Sequence, residues 1–120
     1  MKIRILDDTI RLRLDRSEVE ALGHGRQVEA TTRFADGAAF VYALVPADID
    51  DPQAGFSEGR LRVTVPTDQL RRWAEDESAV SIRGEHGPTK ILVEKDFECL
   101  EPRDGEDQGN RFRNPKALNT

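Results

Sequence analysis

Two hydrophobic periods alternate along this chain. From Lys2 to Leu6 and from Thr9 to Leu14, apolar and polar residues change places at every step, with Ile3, Ile5, Ile10, Leu12 and Leu14 on one side. Asp7-Asp8 between them suits a tight turn, so the pattern predicts a hairpin. The next residues carry a helix start: Asp15 can cap, Glu18 three positions on can close a capping box, and Leu14 with Val19 supplies a hydrophobic staple. Gly23 and Gly25 then stop the helix within about two turns. Strand alternation returns from Gln27 to Phe34, Asp36-Gly37 marks a hairpin turn, and Ala39 to Val45 is a nearly continuous apolar run that reads as a central strand covered on both faces.

Pro46 to Gly59 holds Asp48, Asp50, Asp51, Pro52 and Gly55 and reads as a long polar connection. Arg60 to Val65 is a strand with Leu61, Val63 and Val65 inward. Pro66-Thr67-Asp68 opens a second helix whose Leu70, Trp73 and Ala74 form one apolar stripe. Ala79 to Arg83 and Lys90 to Glu94 make a last hairpin around Glu85-His86-Gly87-Pro88. The expected fold is α+β: an antiparallel sheet of about seven strands, open or half-closed into a barrel, with two short helices on its apolar face. Residues 1–100 form one globular domain in this reading. Residues 101–120, with Pro102, Gly105, Gly109 and Pro115, form a polar tail expected to be disordered at least in part. No internal repeat stands out, although Arg-Leu-Arg occurs at Arg11 to Arg13 and again at Arg60 to Arg62.

Charge changes this picture. At the polar positions of the strands stand Lys2, Arg4, Arg11, Arg13, Arg33, Arg60, Arg62, Arg83 and Lys90, half of the 18 basic residues, against Glu29 and Glu94 among 23 acidic ones. The chain as a whole carries a net charge of -5. Basic residues are therefore sorted onto strand faces. A pI near 5.1 argues against a general nucleic-acid or anionic-membrane binder, and a sheet that stacks RNA bases would need more aromatics than Tyr42. Any anion must be held locally. Guanidinium forks suit phosphate and carboxylate oxygens, so Arg11, Arg13, Arg60 and Arg62, with Lys95 at the rim, are the candidate anion-binding residues. The competing reading is a solvated strand face whose long basic side chains discourage aggregation.

Other chemistries find little support. One cysteine and two turn histidines do not make a zinc site. Asp48, Asp50 and Asp51 superficially suggest a calcium loop, but Gln53 stands where its glycine belongs and Gly59 where its last glutamate belongs. Gly23-His24-Gly25 is a helix stop and not a phosphate cradle. Cys99, beside Glu98 and Glu101, lacks the electropositive setting of a nucleophile, so no catalytic residue, metal or cofactor is assigned. A single cysteine suits a reducing compartment, and the opening shows neither a signal peptide nor a membrane span, so a cytoplasmic location is expected.

Ile10-Arg11-Leu12-Arg13-Leu14 with Ser17-Glu18-Val19 near the start, and Ile91 to Phe97 with Cys99-Leu100, Pro102-Arg103 and Asn114-Pro115 near the end, form a recognisable combination. It resembles a family of short, uncharacterised bacterial proteins known as a domain of unknown function. The resemblance covers nearly the whole chain, implies a bacterial cytosolic setting and brings no activity or site residue with it. A fainter likeness is to the triphosphate tunnel enzymes, whose barrel strands direct Arg, Lys and Glu inward. Their Glu-x-Glu-x-Lys first strand is replaced here by Lys2-Ile3-Arg4-Ile5, which removes the metal ligands. The expected function is a non-enzymatic accessory or interaction protein, its partner either another protein or a small anionic ligand. The alternatives are an anion-binding domain for phosphate, nucleotide or polyphosphate and, behind it, a metal-assisted phosphohydrolase built on Glu29 and Glu94.

Overall fold

The computed structural model describes residues 1–97. The expected polar tail and Cys99 lie outside them. Eight strands and two helices follow in the order β1 (Lys2–Leu6), β2 (Thr9–Leu14), α1 (Arg16–Gly23), β3 (Val28–Arg33), β4 (Ala39–Ala47), β5 (Gln53–Ser57), β6 (Arg60–Pro66), α2 (Thr67–Glu75), β7 (Ser81–His86) and β8 (Thr89–Lys95). The class is α+β, as the periodicity predicts. Two features differ from expectation. The connection after Pro46 contains a strand, β5, which pairs antiparallel with β6 across the turn Glu58-Gly59. The strands also form two four-stranded mixed sheets, β1-β2-β8-β7 and β3-β4-β6-β5, with β2 parallel to β8 and β4 parallel to β6.

The strand order exposes an internal repeat that the residues conceal. Each half of the chain is a hairpin, a helix and a second hairpin, and β1-β2-α1-β3-β4 maps onto β5-β6-α2-β7-β8. The helix of each half carries the chain from one sheet to the other, so each sheet receives one hairpin from each half. That exchange is why the central pair of each sheet is parallel. The equivalence extends to details. Asp7 (φ 50°) and Glu58 (φ 52°) are the two non-glycine residues with positive φ among the described residues, and each opens the first turn of its half. The amide of Lys90 donates to the carbonyl of Asp8 at 2.8 Å, and that of Val41 to the carbonyl of Gly59 at 2.9 Å.

One core lies between the sheets. Ile10, Leu12 and Leu14 from β2 meet Leu61, Val63 and Val65 from β6, with Leu44, Ile82, Ile91 and Val93 beside them. Burying a side chain of this size contributes about 1.5 to 3 kcal/mol, and Leu44, Val63, Val65 and Val93 are fully buried. Val19 and Leu22 of α1 and Leu70 and Trp73 of α2 close the same core at one end. The capping box forms as the sequence predicts: the Glu18 amide donates to the Asp15 carboxylate at 2.9 Å and the Asp15 amide donates back to Glu18 at 2.9 Å. The helix ends in a Schellman pattern, with the Arg26 amide on the Ala21 carbonyl at 2.9 Å and the Gly25 amide on the Leu22 carbonyl at 3.0 Å. Gly25, at φ 82°, is the stop, while Gly23 is still helical.

Direction follows from the pairing. Strands β2 and β6 run into their helices, and β8 and β4 run parallel to them, so all four hairpin turns point to the end opposite the helices. At one seam between the sheets, Ala54 of β5 donates its amide to His86 Nδ1 at 3.0 Å, and Gly84 of β7 lies against Pro52. At the other seam the Tyr42 hydroxyl donates to the Met1 carbonyl at 3.0 Å. Among the described residues neither seam carries a strand ladder, so the sheets stack and do not close into a barrel.

Candidate functional site

The alternation that buries Ile10, Leu12, Ile91 and Val93 turns their neighbours outward, and strand register sets which of these stand side by side. On the outer face of the sheet β1-β2-β8-β7 they form three rows. Nearest the helices are Lys2, Arg13, Glu94 and Ser81. Next come Arg4, Arg11, Leu92 and Arg83, and nearest the turns Leu6, Thr9, Lys90 and Glu85. Six of these twelve positions are basic.

Glu94 is the hub of the first row. Its Oε1 lies 2.7 Å from Arg11 Nε and 3.6 Å from Arg13 Nε, and its Oε2 accepts from the Ser81 hydroxyl at 3.5 Å. Burial, with the carboxylate only 14% exposed, pushes the Glu94 pKa up, but the Arg11 hydrogen bond and the charges of Arg11 and Arg13 together outweigh it. The net result is a carboxyl held below its usual range. Lys2 pairs with Asp96 at 2.8 Å. Arg4, Arg83 and Lys90 make no ion pair among the described residues. Arg83 and Lys90, with Glu85 opposite Lys90, border an open depression of about 350 Å³ that Gly84, Ile91 and Leu92 also line. The surface thus combines a neutralised part around Glu94 with three cations that have no ion pair among the described residues.

The five residues singled out from sequence fall in three places. Arg11 and Arg13 lie together on this face. Arg60 and Arg62 lie on the outer face of the other sheet, with the core between the two pairs, and Arg60 is held by Glu29 at 2.6 Å. Lys95 is on the inward side of β8, where its Nζ donates to the Asp76 carbonyl at 2.9 Å and sits 5.6 Å from the centroid of the Trp73 ring. It braces the end of α2. The four arginines do not converge, and they point away from an apolar interior, unlike the inward-directed side chains of the tunnel-enzyme likeness. Glu29 and Glu94, the two strand acids, are likewise on different sheets. Among the described residues no group of three or more His, Cys, Asp or Glu gathers as a metal site would require. The sequence marks Arg4, Arg83 and Lys90 as strand cations but not as a group, because only register brings β1, β7 and β8 together.

The family model described as a family of unknown function, DUF7009, matches residues 1–116. The chain belongs to this family. No curated protein matches the chain, and no solved structure matches it. Membership covers both halves of the repeat and nearly the whole sequence, so the DUF7009 unit includes both sheets. No helix among the described residues is long and apolar enough to cross a membrane.

Proposed function

We propose that this DUF7009 protein is a non-enzymatic interaction module that takes an anionic partner on the outer face of the sheet β1-β2-β8-β7. One observation carries the reading: Arg4, Arg11 and Arg83 share a single row across that sheet, and Arg4, Arg83 and the neighbouring Lys90 have no carboxylate partner among the described residues. Arg4 and Arg11 stand one strand apart, about 4.8 Å, and Arg83 two strands beyond Arg11, about 10 Å, a spacing that suits carboxylate or phosphate oxygens repeated along an extended partner. Glu94 keeps Arg11 and Arg13 in place instead of competing for the ligand. The anion-binding site expected from sequence is thereby moved to one sheet: Arg11 belongs to its central row and Arg13 to the row beside it, and Arg60, Arg62 and Lys95 stand elsewhere. The single cysteine, Cys99, supports a cytoplasmic setting, where thiols stay reduced.

Titration calorimetry with tripolyphosphate and with a polyglutamate peptide tests this reading and separates its two oxygen sources. The double substitution Arg4→Ala with Arg83→Ala should weaken binding by about tenfold or more, ~1.4 kcal/mol. Arg60→Ala with Arg62→Ala should leave it unchanged. Absence of binding by both probes, or equal loss in both variants, sinks the proposal, and turnover of the tripolyphosphate overturns its non-enzymatic part.

A further inference from the structure

The end of the molecule away from the helices is open. There Ile5, Ile10, Phe40, Phe56 and Leu61 line an apolar cleft of about 330 Å³ between the two sheets, with Asp7 and Asp8 at its mouth. Ile5 and Phe56 are equivalent residues of the two halves, and they are 55% and 63% exposed. Exposure of two large apolar side chains around one concavity is the pattern of a surface that is covered in use. The same end carries Asp36 and Glu58 in its other turns. Acidic turns repel a second copy approaching end to end, and they favour an occupant that is apolar and basic.

This chain contains such a segment. Arg111-Phe112-Arg113 places one aromatic between two arginines, past the end of β8. We propose that Phe112 docks in the cleft between the sheets, with Arg111 and Arg113 against Asp7 and Asp8. The reach is sufficient. Strand β8, of seven residues, leaves at the helix end, so the segment must return by one strand length, about 23 Å. The stretch from Phe97 to Arg111 can extend to about 45 Å. Its charge order also fits: Glu98, Glu101, Asp104, Glu106 and Asp107, against the one cation Arg103, come first, and Arg111 and Arg113 follow. Tethering raises the local concentration of the segment to the millimolar range, so a modest contact suffices. The inference rests on the cleft and the charge of its mouth and does not depend on a foreign anion binding to the sheet.

The test is nuclear magnetic resonance on the full chain with labelled isoleucine and leucine methyls. Cross-peaks are expected from the Phe112 ring to the methyls of Ile5, Ile10 and Leu61. Phe112→Ala should abolish them and shift the amide signals of Ile5, Phe40 and Phe56, and Asp7→Asn with Asp8→Asn should weaken them. Cleft amides and cross-peaks unchanged in Phe112→Ala overturn the proposal. So do cleft contacts that appear only between differently labelled copies, which assign the cleft to self-association. Because Arg4→Ala with Arg83→Ala leaves the cleft intact, persistence of the Phe112 cross-peaks in that variant alongside lost tripolyphosphate binding separates this proposal from the anionic-partner reading.

Discussion

Gly23 of α1 and Ala74 of α2 occupy equivalent positions in the two halves of the chain and meet where the helices cross: a Cβ built on Gly23 would lie 2.7 Å from the Cβ of Ala74. Close approach, and not conformational freedom, requires this glycine, since it is helical. In an exposed helix Gly→Ala gains up to about 1 kcal/mol. Here the added methyl meets another methyl that cannot rotate away, and overpacking costs about 1 to 3 kcal/mol. Gly23→Ala should therefore lower stability in urea denaturation, and adding Ala74→Gly should restore most of the loss. A stabilised Gly23→Ala would show that the helices do not touch there.

Glu94 makes the first sheet sensitive to acid. Its folded pKa is lowered, so the unfolded chain binds the proton more readily, and the ion pairs with Arg11 and Arg13 contribute stability above the ordinary carboxylate range near ~4.3. That contribution is lost as pH falls through the lowered folded value. Glu94→Gln should cost about 1 kcal/mol near neutrality and show a shallower fall of melting temperature below about pH 4.5 than the unsubstituted chain. Parallel melting curves for the two proteins would exclude Glu94 as a source of the acid response.

Glu58 opens its hairpin turn at φ 52° and is followed by Gly59 at φ 76°. Left-handed backbone costs an ordinary side chain about 1 kcal/mol, and asparagine tolerates it well. Glu58→Asn should raise stability by about 0.5 to 1 kcal/mol, read from the urea midpoint. At the equivalent Asp7 the same exchange should do less, because aspartate already tolerates this region. A destabilised Glu58→Asn would mean that the glutamate side chain itself holds the turn.

How much of this was legible follows from what a period-2 pattern encodes. It shows which side of its own strand a residue takes, and Ile10, Leu12, Leu14, Leu61, Val63 and Val65, inward by that pattern, are all buried. It does not show which strand lies alongside, so the pattern alone does not separate cations that belong to opposite faces. Strand β5 leaves no strand signal because Gln53-Ala54-Gly55-Phe56-Ser57 has no β-branched residue and sits between Pro52 and Gly59. The repeat was hidden by its own best motif. Counted from the two turns, Arg11 corresponds to Arg62 and Arg13 to Thr64, so aligning the two Arg-Leu-Arg stretches puts the halves out of register by two. What the halves share is the buried pattern, the turn conformation and the helix crossing, none of which requires identical residues.

Lys95 decides between a binding and a bracing role for the inward side of β8. Its ammonium donates to the Asp76 carbonyl just past the end of α2 and lies over the Trp73 ring, whose Nε1 donates to the Val80 carbonyl at 3.0 Å. These contacts tie α2 and the segment before β7 to the end of β8. A cation over an indole contributes about 0.5 to 2 kcal/mol, and the capped carbonyl adds to it. Lys95→Met keeps the apolar stem and removes the charge. It should destabilise the protein by about 1 kcal/mol and alter the emission of Trp73, the only tryptophan, while leaving tripolyphosphate titrations unchanged. Loss of anion binding with stability intact would return Lys95 to the ligand site and make the inward side of β8 part of it.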